Sequence, residues 1–283
     1  MSRTQVILAL FRKELRSFLG NPTGYVFLTL FIGASAAAAF LTDTFFSRNL
    51  ADLATLNQWM PAILMFFVPA VTMGLWADER RSGTDELLLT LPVRDGEVVI
   101  GKFLGALGVY TVGLVFSLAN VAMLAYLGDP DSGLMFATYL GYWLMGALFV
   151  AVGMVGSMFT GNTTVAFILG ALGCAALVFA GQAPWASALV GVIVLAALGA
   201  LKWSVIFGRG AGLGALIGAA AGLVLWLGGF FPWFTDIFAA LSAPAHFASF
   251  GEGLLRLGDI VYFVGATAVA LYLCTILISR RHW

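Results

Sequence analysis

Charge is what this chain has least of. Only 10% of its 283 residues are Asp, Glu, Lys or Arg, where a soluble domain carries roughly a quarter. So few charges cannot coat a water-exposed globule. The apolar excess, 61% of residues with a mean hydropathy of +0.99, has to face lipid. The formal net charge is zero, which removes any electrostatic case for nucleic acid. Cysteine is scarce as well. Cys174 and Cys274 both lie in apolar runs, which is neither a disulfide framework nor a metal cluster. The Gly-x4-Gly-Lys-Ser/Thr signature of a Walker A loop is missing, and so is the His-Glu-x2-His pair of a zinc hydrolase.

What the chain does have is long apolar runs. Eight stretches free of Asp, Glu, Lys and Arg are long enough, or nearly so, to cross a bilayer as helices: 24–41, 57–76, 103–127, 134–159, 163–180, 185–201, 211–231 and 260–278. A hydrocarbon core of about 30 Å takes about 20 residues at a rise of about 1.5 Å. The expectation is an all-α polytopic membrane protein with eight transmembrane helices in one transmembrane domain, 1–283. The shortest stretch, 185–201, is bracketed by Trp185 and Trp203. The region 185–231 reads as two spans or as a re-entrant hairpin. With eight spans, twelve of the fourteen Lys and Arg residues fall on one side, and only Arg48 and Arg256 on the other. The positive side is cytoplasmic. Both termini are therefore expected there, in a bacterial inner membrane. A single crossing in 185–231 would put Arg280 and Arg281 outside.

Three segments lie between or beside these runs. Residues 1–22 read as a cytoplasmic interfacial helix. Ile7, Phe11, Leu15 and Phe18 recur at helical spacing, while Arg12, Lys13 and Arg16 share another face. Such a helix is expected in the headgroup plane with its cations near anionic lipid. Residues 77–102, between spans one–two (24–76) and three–five (103–180), hold six acids and four bases. Ser82 with Asp85 resembles a helix N-cap and an acidic first turn. Leu87, Leu88, Leu89 and Leu91 form an apolar block that Pro92 ends, and Asp95 can cap the next helix. The expectation is a short docking helix with one apolar face. A solvated loop that only satisfies topology would need none of the six acids. The outer segment 232–259 is amphipathic and aromatic, with His246 as a packed or interfacial residue. The last span and tail take up 260–283.

No span contains an ionisable residue, so no proton relay or ion pathway is written into the lipid phase. Glycine-rich stretches such as Gly218 and Gly222 permit close helix contact. Pro61 and Pro69 are expected to distort span two, as a hinge or as a static kink.

Three patches resemble a known family, the type-2 ABC transporter permeases, and within it the gliding-motility-associated branch. They are LFRKELRSFLGNPTGYVF at 10–27, ERRSGTDELLLTLPVRDGEVVIGKFLGA at 79–106 and HFASFGEGLLRLGDIVYFVGATAVALYL at 246–273. The second carries the family's E-x-x-x-G-T-x-E pattern at Glu79, Gly83, Thr84 and Glu86, ahead of LLTLPV. The resemblance implies a non-catalytic permease subunit whose coupling residues, Glu79, Arg80, Gly83, Thr84, Glu86, Leu87, Leu88 and Leu89, enter a cleft on a separate ABC ATPase. Glu79 and Glu86 would contact partner cations there. It further implies two ATPase copies holding ATP and magnesium, a second identical or related permease, and an auxiliary periplasmic-side subunit. His246, Phe247, Phe250 and Asp259 fall in the family's outer segment. The family usually shows six spans, so 185–231 is a departure that looks like two inserted spans.

Two other readings stay open at this stage. One is an ABC-powered assembly or force-transmitting scaffold. The other is a membrane enzyme acting on lipid-linked substrates, for which Asp236, His246, Glu252 and Asp259 are the candidate set.

Overall fold

The computed structural model describes residues 3–41, 52–84, 93–181, 211–227 and 239–279, with single positions at 191, 192, 195, 199 and 236. Among them every regular element is an α-helix. The helices are α1 (Arg3–Leu19), α2 (Pro22–Phe40), α3 (Ala54–Thr72), α4 (Gly74–Ser82), α5 (Asp95–Phe116) and α6 (Ala119–Leu127). They continue with α7 (Ser132–Met158), α8 (Thr163–Phe179), α9 (Ala211–Leu227), α10 (Ala243–Gly251) and α11 (Leu257–Ser279).

Among the described residues, four helical stretches are long and apolar enough to cross a membrane: Ala54–Ser82, Asp95–Leu127, Ser132–Met158 and Leu257–Ser279. The pair Thr4–Leu19 and Gly24–Phe40, bent by 77°, makes a fifth if taken together. With its apolar helices the chain is an all-α polytopic membrane protein. The expected span at 163–180 corresponds to the shorter helix Thr163–Phe179. That at 211–231 corresponds to α9, whereas 185–201 lies outside the described residues save for four positions. Large apolar side chains stand exposed along α11, among them Val261, Val264, Val269 and Tyr272. On a helix with no Asp, Glu, Lys or Arg after Asp259 this is a lipid-facing exterior.

The chain forms two compact units, residues 1–174 with 246–283 and residues 175–245. In the first, α1 packs on α5, α7 packs on α3 and α11, and α2 packs on α3. The core is apolar, with Met60, Leu64, Val99, Met145, Phe149 and Met154 fully or almost fully buried. In the second, a Cβ at Gly222 would lie 3.0 Å from Cα of Val192. Gly222, singled out as a site of close contact, does admit another backbone.

Local chemistry explains the helix ends. Asp131 caps α7, its Oδ1 accepting from the amides of Gly133 at 2.8 Å and Leu134 at 3.3 Å. Asn162 does the same for α8 through Thr164 at 2.9 Å. Two spans are interrupted. Pro61 and Pro69 sit inside α3, and the helix passes through both before breaking at Met73. The α5–α6 break falls at Ser117–Leu118, where the Tyr139 hydroxyl donates to the Ser117 carbonyl at 2.8 Å. In lipid a freed carbonyl needs such a partner.

Three boundary expectations change. Helix α4 extends the second span to Ser82, so the first residues of 77–102 are helical. Ser82 does not open a helix: it is the last residue of α4, and its Oγ donates back to the Asp78 carbonyl at 2.8 Å. Gly83, at φ +69°, supplies the left-handed turn that ends it. Asp95 is likewise not a cap but the first residue of α5, with Arg94 in the cap position. There the acid faces the positive end of the helix dipole.

Candidate functional site

The charged connection rises from α4 and returns into α5, and its base is a buried ion group. Lys102, on the first turns of α5, has no exposed side-chain surface. Its Nζ donates to the Leu75 carbonyl at 2.5 Å, sits 2.8 Å from Glu79 Oε2, and lies 4.6 Å above the Trp76 ring. From the other side, Lys13 on α1 donates to Glu79 Oε1 at 2.6 Å. Glu14, next along α1, stands 3.5 Å from both ammonium groups. Two cations and two carboxylates thus join α1, α4 and α5. A buried charge is tolerated only with partners of this kind, because dehydrating an ion costs several kcal/mol.

Glycine lets α1 come close enough. A Cβ added at Gly101 would lie 2.8 Å from Leu10 Cβ, one at Gly105 2.5 Å from Glu14 Cβ, and one at Gly108 3.0 Å from Phe11 Cε2. These three glycines form one face of α5, and α1 lies in it. The apolar face of α1 therefore meets protein: Leu10 is buried, while Ile7, Phe11, Leu15 and Phe18 are half-buried. Arg12 and Arg16 are exposed. Lys13 is exposed over 54% of its side chain while its ammonium pairs with Glu79.

Glu79 departs from expectation. It is 13% exposed and spends both carboxylate oxygens inside the chain, not on a partner's cations. Arg80 donates to the Met158 carbonyl at 2.9 Å, which ties α4 to the end of α7. Arg81 pairs with Asp78 at 3.2 Å on the surface. Beyond Gly83, the Thr84 hydroxyl donates to the Glu79 carbonyl at 3.3 Å. Glu86, Leu87, Leu88 and Leu89 lie outside the described residues. Sequence reasoning missed Glu14 and missed the inward turn of Lys102. The spacing of Gly101, Gly105 and Gly108 was the available signal.

At the far end of the unit, Asp259 Oδ1 lies 2.7 Å from His246 Nδ1, and its Oδ2 accepts from the Ser249 hydroxyl at 2.5 Å. His246 stacks on Tyr262 at 3.9 Å. Phe247 stacks on Tyr142 at 5.2 Å, and Phe250 meets Phe263 at 6.2 Å. The Tyr142 hydroxyl reaches Asn57 Oδ1. The Asp259 carboxylate bridges the His246 ring and the Ser249 hydroxyl. The trio clasps α10 to α11. Among the described residues no group of three His, Cys, Asp or Glu could hold a metal ion.

Apolar helices joined by a charged, ion-clamped connection define a polytopic membrane protein. A model of the ABC-2 family transporter proteins matches residues 36–190, more than half of the chain, and the chain belongs to that family. No curated protein matches it.

Proposed function

We propose that this chain is the non-catalytic permease subunit of an ABC exporter or mover of lipids or macromolecules. A separate ATPase, two copies holding ATP and magnesium, docks on the segment 77–102. Two permease subunits, identical or related, form the pathway between them, and an auxiliary periplasmic-side subunit completes the assembly. Both termini are cytoplasmic in a bacterial inner membrane. The patches at 10–27, 79–106 and 246–273 favour the gliding-motility-associated branch.

The observation that carries this reading is the ion group beneath the connection. The chain has no Walker A loop of its own, so the energy for a cycle has to enter from outside. Glu79 and Lys102 fasten the two stems of 83–94 to each other and, through Lys13 and Glu14, to α1. A load on the connection then reaches three helices together.

Glu86→Lys and Leu88→Asp test the docking. Each should reduce ATPase co-purification and permease-stimulated ATP hydrolysis, Leu88→Asp by about 1–3 kcal/mol of docking energy. Unchanged values for both remove the docking claim. Substrate movement in reconstituted vesicles separates a transporter from an ABC-powered assembly scaffold.

A further inference from the structure

The elbow between α1 and α2 fixes where α1 lies. The two helices meet at 77°. Helix α2 exposes Tyr25, Val26 and Leu30 over its first turns, the lipid-facing wall of a span. A helix held at that angle to a span runs close to the membrane plane. Its depth is set by α5. Gly101, Gly105 and Gly108, the glycines that receive α1, straddle the start of the apolar run at 103. Helix α1 therefore sits at the level of the headgroups.

Its rotation is set as well. Leu10 and Glu14 face the α5 glycines. At about 100° per residue, Leu8, Arg12 and Arg16 form a row on the opposite side of α1. Leu8 is 47% exposed, and both arginines are exposed. Helix α5 is a span and α1 lies across its flank, so the far side of α1 points outward within the headgroup layer and not away from the bilayer. Lys13, Arg80, Arg81 and Lys102 are spent inside the chain, on Glu79, the Met158 carbonyl, Asp78 and Glu79 in turn. The guanidinium groups of Arg12 and Arg16 make no hydrogen bond or ion pair with any described residue. Two open forks one helical turn apart, with Leu8 beside them, suit a phosphate that carries an apolar tail.

We infer that Arg12 and Arg16 hold the phosphodiester of an anionic bilayer phospholipid, of the phosphatidylglycerol class, and that Leu8 meets its apolar part. Each guanidinium can give two N–H groups to one phosphate. The phosphate charge of a glycerol headgroup is not offset within the headgroup. Choline and ethanolamine headgroups bring a cation of their own, which competes for the same phosphate and repels both arginines. The bound lipid pins the side of α1 that the ion group leaves open. Lys13, next to Arg12, is taken by Glu79. The helix is then held to α4 and α5 by one face and to the leaflet by the other. The inference rests on the membrane character of the chain and not on ATPase docking.

Native mass spectrometry of the detergent-purified full chain, loaded from equimolar dioleoyl-phosphatidylglycerol, -phosphatidylethanolamine and -phosphatidylcholine, tests it. Phosphatidylglycerol should be retained about thirtyfold over each of the other two, the ratio for two cations at a lipid surface. Arg12→Gln and Arg16→Gln should each cut that ratio about fivefold, and the double variant should bring it to near parity. Both side chains are exposed, so the unfolding temperature should stay that of the parent chain. Arg94→Gln removes an exposed cation outside the row, at the start of α5, and should leave the ratio unmoved. Equal retention of the three lipids by the unaltered chain, no retention at all, a preference that survives the double variant, or an equal fall in Arg94→Gln overturns the proposal. Displacement of the lipid by an equal concentration of inorganic phosphate would reveal a site for soluble anions and would overturn it too. So would loss of the preference once the chain is assembled with its partners, because a protein surface would then cover the row.

Discussion

Lys102 carries a full charge with no exposed side chain, so its energy depends on what remains beside it when one partner is removed. Glu79→Gln leaves it the Leu75 carbonyl and a carboxylate at 3.5 Å. Stranding a buried charge costs about 3–5 kcal/mol, which should appear as a lower unfolding temperature in detergent. Lys102→Met should cost less, because Glu79 keeps Lys13 at 2.6 Å. The double variant should recover part of the Glu79→Gln loss. No recovery would mean that the two residues do not act as a pair. In the sequence Lys102 reads as one more cytoplasmic cation, one residue short of an apolar run. A linear pattern records distance from the lipid, not the direction in which a side chain turns.

Helix α1 shows the same limit for a whole element. Its apolar face at Ile7, Phe11, Leu15 and Phe18 is legible from spacing alone. The surface that receives it is not, since lipid and a glycine-lined helix ask for the same face. Gly105→Val should decide how much the groove contributes. With a Cβ already 2.5 Å from Glu14 Cβ, the branched side chain has to push α1 away. Amide exchange over residues 10–18 should then rise about tenfold, the equivalent of ~1.4 kcal/mol of lost local stability. Exchange unchanged from the parent chain would show that α1 does not rest on α5. The turn after α4 was misread for a different reason. Ser82 and Gly83 are adjacent end signals of opposite sense, one opening a helix and one closing it. The closing one prevailed because only glycine takes φ +69° without strain.

For the molecule as a whole, class and membrane character were open in composition, and four long spans were open in the apolar runs. Helix breaks were legible only in part: the one at Met73 falls beside Gly74 and four residues past Pro69, whereas the one at Ser117–Leu118 has no Gly or Pro beside it. Sidedness follows from the sorting of Lys and Arg and can be measured directly. A cysteine placed at Thr84 should react with a membrane-impermeant maleimide only after the cytoplasmic face is opened. One placed at Glu252 should react in intact cells. The reverse pattern would invert the topology and remove the basis for ATPase docking.

The connection leaves helix α4 at Gly83 and re-enters α5 after Arg94, and just inside each point stands a member of the same ion group. Stems sewn together at their hems cannot be pulled one at a time: any displacement of α4 carries α5 with it through Glu79 and Lys102, and the amphipathic helix alongside is drawn into the same stroke through Lys13.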